Sequence, residues 1–186
     1  QQLNDSKGVA FTYNNIGIAN KNLGNYTEAL KNQLLALKIF EKINDKEGLA
    51  SAYLNIGIAY KIQGNYNEAL KNYQQSLLLV EEFGDKQLSA TLYSNIGNVY
   101  SQQGDYPAAL KNQLAALKNH QELGNRGGIA TVYNSIGNIY AQTNDLHEAL
   151  KNYQKSLEIT KELDNKKGLS TAHNNIGTVN KNLGHN

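Results

Sequence analysis

The sequence predicts an all-α solenoid, an array of antiparallel helix pairs, from three observations. A copy of the sequence shifted by 40 residues aligns with the original along the chain. Apolar residues recur with the period of a helix face, and glycine and asparagine mark fixed places within each unit. A repeat of about 20 to 50 residues is typical of solenoids, in which stacked neighbours supply the core. The two clearest columns contain Tyr13, Tyr53, Tyr93, Tyr133 and His173, and Gly17, Gly57, Gly97, Gly137 and Gly177.

Each unit is predicted to form two helices, and the unit that begins at Gly48 shows why. The first helix is indicated by the helical spacing of Tyr53, Ile56, Gly57 and Tyr60. The second helix is indicated by a similar face, formed by Ala69, Leu70, Tyr73, Leu77 and Val80. Because only a short turn separates the two faces, we expect the helices to be antiparallel.

The turn inside the unit is predicted from Gly64, which can take the left-handed conformation that ends a helix. Asn65 can then cap the second helix, while Glu68 reaches back to it as in a capping box. The same device recurs at Asn25 with Glu28 and at Asp145 with Glu148, and Asp105 keeps the cap alone.

The joint between consecutive units is predicted to be equally short. A residue that tolerates a positive φ precedes each cap, and the cap itself is Asp or Asn. These pairs are Asn44 and Asp45, Gly84 and Asp85, Gly124 and Asn125, and Asp164 and Asn165. No linker separates the units, so we expect one continuous array over residues 1–186.

The array divides into four full repeats, at residues 8–47, 48–87, 88–127 and 128–167. Residues 1–7 match the end of a unit and are predicted to be the tail of a preceding repeat. Residues 168–186 are predicted to be the first helix of a truncated fifth repeat, and we expect this helix to leave an apolar face uncovered. The segments KNYQQSL at 71 and KNYQKSL at 151 also indicate a longer period of 80 residues.

The glycine column is the main packing signal in the sequence. A glycine inside a helix costs about 1 kcal/mol relative to alanine, so a glycine in every unit requires a compensating contact. Alanines stand at a fixed offset in the second helices, at Ala29, Ala69, Ala109 and Ala149. We expect the two columns to face each other, which allows the helix backbones to approach closely.

The composition argues against several classes of function. The formal charge is +2, with 18 basic and 16 acidic residues, so no strong field points to nucleic acid. Arg126 is the only arginine, which disfavours a phosphate site. Cysteine is absent and the four histidines lack the spacing of metal ligands, so we expect no metal and no cofactor. Since no nucleophile motif or phosphate loop occurs, we predict that the chain is not an enzyme.

The unit resembles the tetratricopeptide repeat through Tyr53, Ile56, Gly57, Tyr60, Gly64, Tyr66, Ala69, Tyr73 and Leu77. Its 40-residue length is similar to that of a subgroup with longer helices, found in kinesin light chains, spindle-orientation adaptors and bacterial signalling proteins. The resemblance implies a right-handed superhelix whose first helices line a concave groove that holds a peptide or an extended protein segment. The sequence departs from the pattern at Asn20, Asn144, Leu146, His173 and Asn180.

The groove is predicted to contain a row of carboxamides. On a helical wheel this row lies opposite the buried side of the first helix, at Asn15, Asn55, Asn95, Ser135 and Asn175. Neighbours on the same side complete the predicted peptide-binding site: Asn14, Ile18, Ile58, Asn98, Asn134, Asn138 and Asn174. Carboxamides can bind the main chain of an extended ligand, or they can bond to the next unit and stiffen the stack. The sequence leaves both roles open.

The predicted groove is apolar at one end and polar at the other. Phe11, Ile18 and Ile58 make its first half partly apolar, whereas asparagines dominate its second half. We therefore expect a ligand to place an apolar anchor near the first two units, since a contiguous apolar set in a concavity often marks a site.

Three functional hypotheses follow. The first is a protein-interaction scaffold that binds an extended segment of a partner. The second is an architectural element that associates end to end through its last helix, and the third is the regulatory or sensor part of a larger bacterial signalling protein.

The expected partner is a protein, and neither nucleic acid nor a membrane. A lysine row on the second helices is preceded by glutamates in three of its four units, which is typical of a solvated face. No apolar run reaches the roughly 18 residues of a membrane span. We expect a cytoplasmic protein, with the periplasm left open because a chain without cysteine suits either compartment.

Overall fold

The structure is a computed structural model that describes the backbone of residues 2–184 and the side chains of residues 5–184. Within these residues it contains nine α-helices and no strand. The helices are α1 (Gln2–Asn22), α2 (Tyr26–Ile43), α3 (Lys46–Ile62), α4 (Tyr66–Phe83), α5 (Lys86–Gln103), α6 (Tyr106–Glu122), α7 (Arg126–Gln142), α8 (Leu146–Glu162) and α9 (Lys166–Asn182). The prediction of an all-α array of helix pairs is confirmed.

The chain forms two compact units, Gln1–Leu88 and Ser89–Asn186. In the first unit α1 packs on α2, α2 on α3, and α3 on α4. In the second unit α6 packs on α7, α7 on α8, and α8 on α9. The second helices α2 and α8 therefore each contact the first helix before them and the first helix after them, as the solenoid prediction requires.

Hydrogen bonds show that paired helices are antiparallel. Ser76, in the second half of α4, donates its hydroxyl to the carbonyl of Ala50 in the first half of α3, at 2.7 Å. In the second unit Ser156 donates to the carbonyl of Ala130 in the same way, at 2.8 Å. These two bonds are 80 residues apart in the sequence, so the longer period indicated by the sequence also appears in the packing.

The glycine column lies where paired helices approach each other. A Cβ atom added at Gly57 would lie 2.6 Å from the ring of Tyr73 and 3.2 Å from the carbonyl oxygen of Ala69. The close approach to the alanine column is confirmed there. The alanine contributes its backbone, however, while the space above the glycine is filled by Tyr73, a contact that was not predicted from the sequence.

The same position in the third pair holds a glutamine. A Cβ added at Gly97 would lie 2.9 Å from Nε2 of Gln113 and 3.1 Å from the carbonyl oxygen of Ala109. Gln113 is fully buried and donates to the carbonyl of Ser94 at 3.2 Å. Any larger residue at Gly97 must therefore displace both a hydrogen-bonded side chain and the backbone of α6.

The core consists of clusters formed by neighbouring helices within each compact unit. In the first unit it includes Ala10, Ala36, Phe40 and Ala52, all fully buried. In the second unit one cluster contains Ala116, Leu117, Val132 and Ile136. Another contains Ala149, Tyr153 and Val179. Each cluster contains at least one alanine beside larger side chains, and the small residues let the helices pack closely.

The predicted joints between consecutive 40-residue repeats are confirmed. The residues that precede the caps have positive φ: 54° at Asn44, 74° at Gly84, 63° at Gly124 and 48° at Asp164. The caps accept hydrogen bonds from backbone N–H groups three residues later, at Gly48, Leu88, Gly128 and Gly168. Local turn chemistry therefore determines where each repeat ends.

The N-caps of the second helices, inside the repeats, differ from the prediction in two places. Asp105 and Asp145 accept from the N–H groups of Ala108 and Glu148. Asn25 and Asn65 occupy the same position but make no side-chain cap bond. Asn125 and Asn165 do accept cap bonds at the joints, so a carboxamide can cap here and the missing bonds are specific to Asn25 and Asn65.

The predicted repeat tail at residues 1–7 does not form a separate element in the described residues. Helix α1 runs without a break from Gln2 to Asn22, through the Asn4-Asp5 pair that matches the joint at Asn44 and Asp45. Asn and Asp accept a helical conformation as well as a left-handed one, so the pair by itself does not fix a turn. Residue 1, and residues 185–186 of the predicted fifth repeat, lie outside the described residues.

The prediction that the last helix leaves an apolar face uncovered is wrong for α9. Its exposed side chains include Ser170, His173, Asn174 and Thr178, while Ala172 and Val179 are buried. Ser170 corresponds to Ala50 of α3 and Ala130 of α7, where α4 and α8 pack, so this uncovered position of α9 is polar.

Two apolar side chains of α1 are exposed although their counterparts in α3 are covered. Val9 is 42% exposed and Ile16 is 41% exposed. The corresponding Leu49 and Ile56 of α3 are half-buried and buried, because α2 covers that side of α3.

Candidate functional site

Consecutive first helices lie side by side within each unit, and carboxamides join them. In the first unit Asn55 donates to Oδ1 of Asn14 at 3.3 Å, and in the second unit Asn175 donates to Oδ1 of Asn134 at 2.8 Å. Asn14 and Asn55 are only 5% and 8% exposed. These two side chains therefore serve the stiffening role, one of the two roles that the sequence left open.

The remaining residues of the predicted site differ in exposure. Three are exposed: Asn15, Asn138 and Asn174. Seven are half-buried: Ile18, Ile58, Asn95, Asn98, Asn134, Ser135 and Asn175. A ligand-binding role for this surface stays a prediction, and it depends on the exposed and half-buried members.

Two of these asparagines also accept hydrogen bonds from the second helix of the same pair. Asn138 accepts a hydrogen bond from the hydroxyl of Tyr153 at 2.8 Å. Asn98 accepts one from Nε2 of Gln113 at 2.9 Å. Their carbonyl oxygens are engaged in the pair, so their amide groups are the donors that could serve a ligand.

Ile58 occupies the equivalent position in the second repeat and cannot accept such a bond. Tyr73, the counterpart of Tyr153, is fully buried, and its hydroxyl has no hydrogen-bond partner among residues 5–184. Burial raises the pKa of Tyr73 well above its usual value, so the hydroxyl stays protonated and unpaired.

The apolar end of the predicted groove is occupied by the chain's own side chains. Phe11 packs edge-on against Phe40, with ring centroids 5.2 Å apart. The amine of Lys7 lies 5.7 Å from the centre of the Phe11 ring and 2.8 Å from the carboxylate of Asp45. Burial alone would raise the pKa of Asp45, but the hydrogen bonds from Lys7 and from the N–H of Gly48 outweigh it and lower this pKa.

An open cleft lies between α7, α8 and α9. Its volume is about 370 Å³, within the range of small ligand pockets. Residues from all three helices line it, among them Gly127, Thr131, Asn134, Thr160, Lys167 and Thr171. We name it the α7–α9 cleft.

The α7–α9 cleft was missed from the sequence, although a signal for it was present. The column that begins at Phe40 continues as Val80, His120 and Thr160, and the column that begins at Phe11 ends at Thr131 and Thr171. Large aromatic residues are thus replaced by small ones along the array. A comparison of side-chain volume along the repeat columns would have indicated the open space.

His120 is a buried titratable group next to the α6–α7 joint. It is 6% exposed, and its ring lies where a Cβ on Gly128 would be, as the ring of Phe40 does at Gly48. Its Nδ1 atom has no partner within the described side chains. Burial lowers the pKa of His120, so the neutral form is favoured.

The described residues contain no group of three side chains that could hold a metal ion. Among the described helices, none has both the length and the hydropathy needed to cross a membrane.

Comparison with known proteins agrees with this geometry. The family model for the tetratricopeptide repeat matches residues 8–82, 48–122, 88–162 and 128–185. The chain is similar to the structure of BtubC (BKLC) from P. vanneervenii, with 22% identity and a TM-score of 0.84 over 97% of this chain and 75% of that one. No curated protein matches the sequence.

Two further structures share the fold. One is a signal transduction ATPase with a tetratricopeptide repeat sensor from Pyrococcus horikoshii, with 21% identity, a TM-score of 0.86, and coverage of 94% of this chain and 27% of that one. The other is the apo form of RapI, with 15% identity, a TM-score of 0.82, and coverage of 94% and 48%. Identities this low show the fold alone.

The family match extends over nearly the whole chain and starts again every 40 residues. Tetratricopeptide repeats generally mediate protein–protein interactions and generally act as non-catalytic scaffolds. The chain belongs to the tetratricopeptide repeat family.

Proposed function

We propose that this chain is a protein-interaction module that binds an extended segment of another protein on the surface formed by its first helices. The observation that carries the proposal is the side-by-side arrangement of first helices within each unit, α1 with α3 and α7 with α9. This arrangement supports a continuous strip of first-helix side chains in each unit, and in the second unit the α7–α9 cleft opens beside it.

The exposed polar groups on this surface suit a peptide main chain. Asn15, Asn138 and Asn174 are exposed carboxamides, and each can donate to a peptide carbonyl. Rigid, mutually bonded asparagines behind them limit the conformational entropy that binding costs, because the helices are already held in place. The stiffening role and the binding role therefore support each other.

The charge pattern favours a protein partner over nucleic acid. Lys31 and Lys151 lie 3.5 Å and 3.0 Å from Glu28 and Glu148 on the same helices. These lysines are partly neutralised in pairs, which supports a solvated face.

The sensor hypothesis stays compatible with the proposal, since a sensor array would use the same surface. End-to-end association through α9 loses its basis, because the exposed side chains of that helix are polar. The cytoplasmic location stays a prediction.

Selection from a phage-displayed library of random peptides tests the proposal. The affinity of a selected peptide is then measured by fluorescence anisotropy for two matched variants, Asn174→Asp on α9 and Gln154→Glu on α8. Both residues are exposed, and both changes replace a carboxamide by a carboxylate. Asn174→Asp should weaken binding about tenfold or more, because it removes a donor and repels peptide carbonyls, whereas Gln154→Glu should leave the affinity unchanged.

Two results would overturn the proposal. One is that no peptide is selected from the library. The other is that the two variants change the affinity equally, which would place the binding surface outside the first helices.

A further inference from the structure

Two places in the chain, 120 residues apart, have the same arrangement of helices but different side chains between them. The first lies between α1, α2 and α3, and we name it the α1–α3 site; the second is the α7–α9 cleft. In both places a carboxamide bond joins the two first helices, Asn55 to Asn14 and Asn175 to Asn134. Because the helices are arranged alike, the side chains that fill one site indicate which groups the other site can accommodate.

The α1–α3 site is filled by aromatic side chains of the chain itself. Phe11 lies against Phe40 with the rings at 74°, an edge-to-face arrangement favoured by aromatic pairs. Lys7 covers the outer side of Phe11 and pairs with Asp45. The site is therefore closed to a ligand.

The α7–α9 cleft lacks all of these groups. Thr131 stands in place of Phe11 and Thr160 in place of Phe40, and Gly127 and Asn165 replace the ion pair of Lys7 and Asp45. The cleft of about 370 Å³ is the space left by these smaller residues. The cleft is large enough for an aromatic ring, and it lies where Phe11 and Phe40 stand in the α1–α3 site.

The hydroxyl groups around the cleft already donate to backbone carbonyls, so an apolar ring would not leave them without hydrogen-bond partners. Thr131 donates to the carbonyl of Gly127 at 3.0 Å, and Thr160 donates to that of Ser156 at 2.9 Å. Ser156 donates to Ala130, and Thr171 donates to the carbonyl four residues before it. Burying a donor without a partner is costly, and here each hydroxyl keeps its partner when water leaves the cleft.

The rim of the cleft carries a positive charge where the α1–α3 site has a negative one. Lys167 lines the cleft and corresponds to Glu47 in the earlier repeat. Lys167 is exposed, and no carboxylate pairs with it in the part of the chain that the structure describes. An acidic group beside the ring of a ligand would therefore be attracted to this rim.

We propose that the α7–α9 cleft is an anchor pocket for an aromatic side chain that is flanked by an acidic residue in the bound segment. This inference rests on the proposed function and specifies one subsite of it. It also moves the anchor from the first two units, where the sequence predicted it, to the second half of the chain, because Phe11 and Phe40 already occupy the corresponding space in the first half.

Titration of the ¹⁵N-labelled full chain with short blocked peptides tests the inference by NMR. The probes are Ac-Gly-Glu-Phe-Gly-NH₂, the same peptide with Ala in place of Phe, and the same peptide with Lys in place of Glu. The Phe peptide should shift the amide signals of Gly127, Gly168 and Thr171 at millimolar concentration. The Ala peptide should shift them at least tenfold less, and the Lys peptide should bind several-fold more weakly than the Glu peptide.

Two variants provide the controls. Thr131→Phe fills the cleft as Phe11 fills the α1–α3 site, and it should abolish the shifts caused by the Phe peptide. Thr178→Phe adds the same side chain at an exposed position of α9 outside the cleft, and it should preserve them. Well-dispersed spectra of both variants would show that they fold.

Shifts that persist in Thr131→Phe, or that the Phe and Ala peptides cause equally, would overturn the anchor pocket. The absence of any shift at these amides up to several millimolar peptide would overturn it as well. The proposed function would survive these results if a peptide selected from the random library still distinguishes Asn174→Asp from Gln154→Glu, so the two proposals fail separately.

Discussion

Two buried tyrosines at equivalent positions should respond oppositely to the same substitution. The hydroxyl of Tyr153 donates to Oδ1 of Asn138 at 2.8 Å. The hydroxyl of Tyr73 is buried without a partner among the described residues, because Ile58 stands where Asn138 stands in the later repeat. Tyr73→Phe should therefore stabilise the chain, and Tyr153→Phe should destabilise it.

The magnitude follows from the two environments. A buried polar group without a partner costs about 1–3 kcal/mol, so Tyr73→Phe should recover about 1 kcal/mol or more. A typical intramolecular hydrogen bond contributes about 0.5–1.5 kcal/mol, and Tyr153→Phe should lose an amount in the lower part of this range. The loss is limited because Asn138 is exposed and water can replace the tyrosine as its donor.

Thermal unfolding followed by circular dichroism at the helix band measures both variants. For a chain of this length about 1 kcal/mol corresponds to roughly 2–4 °C in Tm, so the two variants should lie on opposite sides of the wild type. Urea unfolding with the m-value checked would show whether the transitions remain comparable, since repeat arrays do not always unfold in one step.

The variant Ile58→Asn provides an internal control. It places a carboxamide beside the hydroxyl of Tyr73, as Asn138 lies beside that of Tyr153. In this background Tyr73→Phe should lose its advantage, which a double-mutant cycle would measure. If Tyr73→Phe in the original chain costs as much stability as Tyr153→Phe, the argument from the unpaired hydroxyl is refuted.

Three further predictions concern stability. Gly97→Leu should splay the third pair and cost about 1–3 kcal/mol in urea unfolding, whereas Gly177→Leu, whose Cβ would meet no atom within 4 Å, should cost nothing; equal stabilities would contradict the packing argument. Because burial lowers the pKa of His120, the unfolded chain binds its proton more tightly, so stability should fall as the pH drops below about 6.5; His120→Phe should reduce this fall in Tm between pH 8 and pH 5.5, and an unchanged fall would assign it to other groups. Asp105→Ala should cost about 1 kcal/mol, and Asn65→Ala should cost less because Asn65 makes no cap bond; the reverse order in urea unfolding would count against the observed caps.

The turn chemistry and the repeat could be predicted from the sequence because both depend on neighbouring residues. A residue that tolerates positive φ, followed by Asp or Asn, ends one helix and begins the next whatever lies further away. The joint at Asn44 and Asp45 therefore matched its prediction in detail, with a φ of 54° and a cap bond to Gly48. Residues 2–7 carry a similar pair at Asn4 and Asp5, and there α1 continues as a helix.

Contacts between helices were harder to predict because they depend on distances between elements far apart in the sequence. The glycine column indicated a close approach, yet the fact that Tyr73 covers Gly57 depends on how far α3 and α4 are offset along their axes. The row of asparagines was visible in the sequence. Whether Asn55 meets a ligand or Asn14 depends on the spacing of α1 and α3, and at 3.3 Å the two carboxamides bond to each other.

What the sequence by itself determined is the family, the helix pairs and their joints, since forty-residue periodicity and local capping rules specify them independently of packing. Tertiary structure alone decided which polar groups are hydrogen-bonded between helices and which space between the helices is left open. Phe11 fills its site because Phe40 lies 5.2 Å away on another helix, and the corresponding cleft beside Thr131 is open because Thr160 is too small to reach across. Side-chain volumes on three separate helices determine that difference, and only packing brings them together.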